Sequence, residues 1–154
     1  MAKKQYWLMK SDPEEYDFED LKKDGETYWD GIRNYAARIH LRNMKKGDGV
    51  LFYHSNAKPP AVVGTATVTK EAYPDHTQFD KKNKHYDAKS SKDDPRWDMV
   101  DIQFDKEFKN QVSLNSIKET EELQNMALIK ITRLSVSPVT SDEWKTIIKM
   151  GGKK

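Results

Sequence analysis

The sequence predicts an α+β fold: a small, mostly antiparallel β-barrel with short flanking helices. Two observations carry that expectation. Short apolar runs at residues 6–9, 50–54, 61–69, 97–104 and 134–136 alternate with stretches of helical period, with no internal repeat. Gly64 interrupts the third run, as expected where a strand bends or another backbone comes close. At 154 residues the chain is long enough for one domain with a real core. We expect that domain over residues 1–151, followed by a loose basic tail at 152–154.

Each element has a local reason. Residues 6–9 are apolar with β-forming aromatics, and the strand ends at Lys10-Ser11 before the breaker Asp12-Pro13. Asp17 is a good N-cap, with Asp20 three residues on and Gly25 at the far end of a short helix. A turn carrying Trp29 follows. Asn34 then caps a second helix, in which Ala37, Leu41 and Met44 recur at helical spacing until Lys46-Gly47-Asp48-Gly49 ends it. Residues 50–54 and 61–69 pair through the loop at 55–60. Residues 73–96 are polar and lack a regular period, and a loop of that length is usually functional. Residues 97–104 form the next strand. Leu114, Ile117, Leu123 and Met126 mark short helices, and Leu134 and Val136 a last strand stopped by Pro138. Thr140 with Glu143 forms a capping box for the closing helix, whose apolar face is Trp144, Ile147 and Ile148.

Composition removes several classes of function. There is no cysteine, hence no disulfide and no thiolate metal site. No apolar run reaches the length of a membrane span. A soluble intracellular protein is expected, cytoplasmic or, in a eukaryote, nuclear, and monomeric. The sequence has no phosphate loop, no dinucleotide fingerprint and no nucleophile elbow. Asp75, His76, Asp80, His85 and Asp87 gather in the long loop, which reads as solvated rather than metal-binding, and neither metal nor cofactor is expected. His54-Ser55 offers a base and a nucleophile, but neighbours on a strand face opposite sides, so no catalytic residue is assigned.

The net charge of +2, from 27 basic and 25 acidic residues, does not point to nucleic acid by itself. The distribution does. Residues 32–47 hold Arg33, Arg38, Arg42, Lys45 and Lys46 and no acid, directly after Trp29. An aromatic beside concentrated positive charge suits an extruded base and its phosphates. Arg38 and Arg42, four apart, share a helix face.

Several segments form an ordered set along the chain: Tyr6-Trp7-Leu8-Met9-Lys10-Ser11-Asp12-Pro13, the WDGIRNYAAR stretch at 29–38, Met44-Lys45-Lys46-Gly47-Asp48, and Phe52-Tyr53-His54-Ser55-Asn56. Tyr73-Pro74-Asp75, Pro95-Arg96-Trp97 and the stretch at 133–139 follow. In this order they resemble the EVE domain of the PUA-like superfamily, and the resemblance covers nearly the whole chain. Asp12, where the family usually has glutamate, and Ile39-His40, where its pattern is polar, depart from it.

The resemblance implies a PUA-like barrel with a pocket for a nucleobase. The EVE domain is similar to the YTH domain, which reads methylated adenine in RNA with an aromatic cage, and EVE proteins are linked with modified bases, notably modified cytosine in DNA. Lys10-Ser11 falls where the YTH pattern has its Lys-Ser, and Trp29 where the first cage tryptophan sits. The second cage residue is expected from the long loop, which offers Tyr73, Phe79, Tyr86 and Trp97. The expected base pocket is Ser11, Trp29, Arg33, Asn34, Tyr53, His54, Ser55, Tyr73 and Trp97; Lys10, Arg38, Arg42, Lys45 and Lys46 are expected on phosphates, with Arg133 a secondary candidate. Trp29 can instead be core, Asn34 only a cap and His54 a satisfied core histidine. The expected function is a non-enzymatic nucleic-acid module that reads a modified base in DNA or RNA, in a single strand or flipped from a duplex. The alternatives are a hydrolase using the same pocket and a protein-interaction domain.

Overall fold

A computed structural model of the chain describes residues 4–131 and 134–152. The strands are β1 (Tyr6–Ser11), β2 (Glu26–Trp29), β3 (Gly49–His54), β4 (Ala61–Pro74), β5 (Asp98–Ser113) and β6 (Val136–Val139). The helices are α1 (Phe18–Asp24), α2 (Tyr35–Asn43), α3 (Leu114–Glu119), α4 (Ala127–Lys130) and α5 (Ser141–Gly152). Thus α5 runs past Gly151, which is buried against Phe108, into the first residue of the expected tail. The expected ends Lys153 and Lys154, like Arg133, lie outside the described residues. Among the described residues, no helix is long and apolar enough to cross a membrane.

The fold is mixed α/β, with one six-stranded sheet in the order β2-β5-β4-β3-β1-β6. β1 and β3 run parallel, and every other neighbouring pair is antiparallel. No ladder joins the edge strands β2 and β6 among the described residues, so the sheet is open where the sequence predicted a closed barrel. Both edges are four residues long, and β6 carries Pro138 opposite Trp7, a residue without an N–H that an edge strand tolerates.

The open sheet is strongly curled. Trp29 on β2 meets Phe52 on β3 edge-on, with ring centroids 5.5 Å apart, although β5 and β4 lie between those strands. The β4–β5 ladder slips register at several points, and each such bulge adds twist and bend. Gly64 sits at one of them. A Cβ there would strike the Phe18 ring and lie 2.5 Å from the Lys106 carbonyl oxygen, so the close approach expected at this glycine is present.

Both faces of the inner strands are covered. Trp7, Met9, Val50 and Phe52 join one buried cluster with Phe18, Leu21, Trp29 and Leu41. Their strand neighbours Leu8, Leu51 and Tyr53 join a second cluster with Ile117, Leu123 and Ile147. This two-sided burial explains the unbroken apolar run of β3. Caps set the helices: Asp17 and Asp20 make the reciprocal box on α1, Asn34 accepts the Ala37 N–H, and Thr140 and Glu143 exchange hydrogen bonds at the start of α5.

Candidate functional site

The curl brings the ends of β1 and β2 to one cavity of about 980 Å³. β1 and the turn after it supply Lys10, Ser11, Asp12, Glu15 and Tyr16; β2 and its exit supply Thr27, Tyr28, Trp29, Asp30, Gly31 and Ile32. The loop after β4 supplies Lys82, Asn83, Lys84 and His85, and Asp24 and Ser135 complete the lining.

The aromatic wall is Trp29 with Tyr16 and Tyr28. Trp29 is only 8 % exposed, belongs to the core cluster and also lines the cavity, so it is core and wall at once. Tyr16 meets it edge-on at 6.3 Å and donates its hydroxyl to Asp24 at 2.9 Å. Burial, reinforced by that carboxylate, pushes the Tyr16 hydroxyl up to about 12, so it stays protonated at neutral pH. Tyr28 is exposed and stands edge-on to His76 at 5.0 Å. Gly31 has φ +82°, and a Cβ there would come within 2.6 Å of the His85 ring, so the imidazole packs directly on the glycine backbone.

The lining is close to electrically balanced: Asp12, Glu15, Asp24 and Asp30 face Lys10, Lys82 and Lys84. Lys84 and Glu15 form an ion pair across it, with both side chains largely exposed. Burial lowers the Lys10 ammonium from its ordinary value. Such a cavity suits a neutral polar ring better than a bare phosphate.

Of the residues expected in the base pocket, Ser11 and Trp29 line this cavity, and so does Lys10, expected on phosphate. The others are engaged elsewhere. Arg33 directs every guanidinium nitrogen inward: Nε and Nη2 to the His85 carbonyl at 3.0 and 2.7 Å, Nη2 to the Thr77 hydroxyl at 3.1 Å, and Nη1 to the Ile32 carbonyl and Asp75 at 3.0 and 3.1 Å. Asn34 caps α2. Tyr53 lies in the second core cluster. Tyr73 donates to Asp101 at 2.5 Å, with its hydroxyl raised by burial and that carboxylate. Trp97 is buried, donates Nε1–H to Asp87 at 2.7 Å and packs against Tyr35 and the guanidinium groups of Arg33, Arg38 and Arg96. None of the loop aromatics offered as the second cage residue lines the cavity.

His54 and Ser55 do not bond to one another. His54 Nε2 accepts the Phe18 N–H at 3.0 Å beside a separate cavity of about 150 Å³, and burial lowers its basicity against the opposing effect of Asp17. The Ser55 hydroxyl donates to the Ser11 carbonyl at 3.2 Å. Among the described residues no group of three acidic, histidine or cysteine side chains is placed to hold a metal ion.

Of the remaining expected phosphate ligands, Arg38 donates to the Arg96 carbonyl at 2.6 Å and stacks on Tyr35, with centroid distance 4.8 Å. Arg42 pairs with Asp98 and keeps nearly half its side chain exposed. Lys45 and Lys46 are exposed just beyond α2. These four lie outside the cavity lining. Sequence reasoning missed Tyr16, Tyr28, Asp30 and His85. Only Tyr28 and Asp30 carried a signal, as the flanks of Trp29; Tyr16 and His85 reach the site through the curl and the long loop.

Comparison with known proteins places the chain in a family and matches its overall fold. The EVE domain model matches residues 5–150. Mouse thymocyte nuclear protein 1 is 44 % identical, over 94 % of this chain and 73 % of its own length. The structure of human THYN1 protein in complex with 5-methylcytosine-containing DNA superposes with a TM-score of 0.93 at 42 % identity, covering 97 % of this chain and 99 % of that one. A hypothetical protein from Leishmania major reaches 0.94 at 44 % identity, covering 97 % and 95 %.

Proposed function

The chain belongs to the EVE domain family, and on that premise we propose that it binds nucleic acid and takes a modified base, extruded from its strand, into the cavity beside Trp29. The observation that carries this proposal is the cavity itself: an indole wall fixed in the core, with a near-neutral polar rim. An extruded base loses stacking and pairing worth a few kcal/mol, and an aromatic surface returns about 1–3 kcal/mol. The cavity volume is at the upper end for small-molecule sites, so a nucleotide fits with its sugar. The human relative solved with 5-methylcytosine-containing DNA makes methylated cytosine the first base to try. Arg38, Arg42, Lys45 and Lys46 supply a positive flank for phosphates. The hydrolase alternative gains no support from His54 and Ser55, whose lone pair and proton are committed elsewhere.

Fluorescence anisotropy tests the proposal, with single- and double-stranded oligonucleotides carrying one 5-methylcytosine or one cytosine. Tighter binding to the methylated strand is expected. Equal affinity for both would remove the modified base from the account.

A further inference from the structure

One carboxylate in the cavity differs from its neighbours. Asp12 accepts from the Asn56 amide at 3.1 Å and from the Glu14 N–H at 2.9 Å. Glu15 pairs with Lys84, and Asp24 holds the Tyr16 hydroxyl. Asp30 is half-buried and lines the cavity, yet its carboxylate has no hydrogen-bond or ion-pair partner among the described residues. Its backbone is nevertheless pinned on both sides. Trp29 pairs with Val100 in the β2–β5 ladder, and the Gly31 N–H donates to Asp75 at 2.8 Å. A fixed backbone presents an unsatisfied acceptor beside the indole wall, which is how a recognition group is held.

A reader of 5-methylcytosine faces a specific problem. Thymine carries the same methyl group on the same ring, so a methyl pocket cannot tell the two apart. They differ at ring position 4, where cytosine has an amine and thymine a carbonyl, and at N3, where cytosine has a lone pair and thymine an N–H. An ionised carboxylate only accepts hydrogen bonds. Opposite the cytosine amine it gains a charge-assisted bond; opposite the thymine carbonyl it meets another acceptor and stays unpaired.

We propose that Asp30 is the specificity-determining residue that selects a base bearing an exocyclic amine where thymine and uracil bear a carbonyl, by accepting that amine's N–H. This inference rests on the cavity being the modified-base site. Asp30 then rejects thymine, while the aromatic wall senses the ring and its methyl group.

The test uses the full chain and single-stranded oligonucleotides identical except for one central 5-methylcytosine, cytosine or thymine. The wild-type protein is expected to favour 5-methylcytosine over thymine by about 10- to 100-fold. Asp30→Asn keeps the shape but adds a donor that can meet a carbonyl, so the ratio should fall to about threefold or less. Ratios are compared because removal of a negative charge strengthens binding to every strand alike. With no partner to lose, Asp30→Asn should melt with the wild type, and Asp30→Ala should lose the same discrimination. Undiminished rejection of thymine by Asp30→Asn, with 5-methylcytosine still preferred over cytosine, would overturn the role of Asp30 and leave the reader standing. Wild-type protein that binds 5-methylcytosine and cytosine alike would overturn the reader itself.

Discussion

Asp30 and Arg33 stand three residues apart across Gly31, and their surroundings are opposite. On the Arg33 side the guanidinium and the carboxylate it meets are both fully engaged. Its guanidinium meets Asp75, which also accepts from the Thr77 N–H and hydroxyl and from the Gly31 N–H. Gln78 ties the same loop to Asp75 and Trp97. On the Asp30 side the carboxylate has no partner among the described residues, Tyr28 is exposed, and the pair spanning the cavity, Lys84 with Glu15, is solvent-screened. A satisfied buried network fixes a shape, whereas unsatisfied groups on a fixed backbone await a partner. In the proposed function, the first region builds the wall and the second would meet the base.

The largest effect expected from breaking this division is at Trp29, which belongs to both halves. Trp29→Ala removes a core ring and should cost ~3–5 kcal/mol of stability in denaturant unfolding. It should also cost about 1–3 kcal/mol of affinity for the modified strand, leaving salt-dependent background binding in place. A drop in stability with base preference intact would make Trp29 core alone.

Arg33→Ala comes next. It leaves Asp75, fully buried, without its cation, and should cost about 3 kcal/mol, the low end for a broken buried pair because a fifth of the arginine side chain is exposed. A cost under ~1 kcal/mol would show that the loop does not need its brace. The same pair sets an acid limit. Burial pushes the Asp75 carboxyl up, but hydrogen bonds from Thr77, Gly31 and Arg33 outweigh it and hold the group below its ordinary value of 3.8. Its contribution to stability is therefore complete above that value and is lost as pH falls through the lowered one. Arg33→Ala should flatten this acid dependence in urea titrations run from pH 5 down to about pH 2.

A smaller effect is expected for Arg38→Ala with Arg42→Ala. If both touch phosphates, binding to all sequences weakens and the salt slope falls by about one unit for each phosphate left without its arginine. An unchanged slope would leave them to Trp97 and Asp98. The smallest effect concerns His54, which burial holds below its ordinary value of 6.5. Its neutral ring accepts the Phe18 N–H, so the stability it contributes is full above that value and declines as pH falls through the lowered one. His54→Gln should lose less stability than the wild type on going from pH 7 to pH 5, measured by thermal melting at about one-unit steps.

What the sequence made legible follows the range of the interactions. The caps at Asp17, Asn34 and Thr140 are bonds across three residues, and all three were readable. β2 was not, because four residues at an edge give only Thr27 and Trp29 against Glu26 and Tyr28, too short a period to stand out. β4 and β5 run well beyond their apolar cores because each supports the other's polar end. Ser11, Lys10 and Trp29 line the cavity, and all three were singled out by the sequence. Arg33 read as a ligand because its charge is visible in sequence, whereas its partner Asp75 lies 42 residues away. Asp30 carries no sequence signal beyond its place after Trp29, since its distinction is the partner it lacks.

The four tryptophans offer the most direct test of the cavity as the base site, because each indole N–H gives its own NMR signal. Those of Trp7 and Trp97 are bonded to Asp48 and Asp87, away from the cavity lining. On titration with a strand carrying one 5-methylcytosine, the Trp29 signal should move most, together with the backbone amides of Asp30 and His85. The unmodified strand should move it less. A Trp29 signal that stays in place while amides along α2 shift would put the nucleic acid on the basic helix and leave the cavity empty of base.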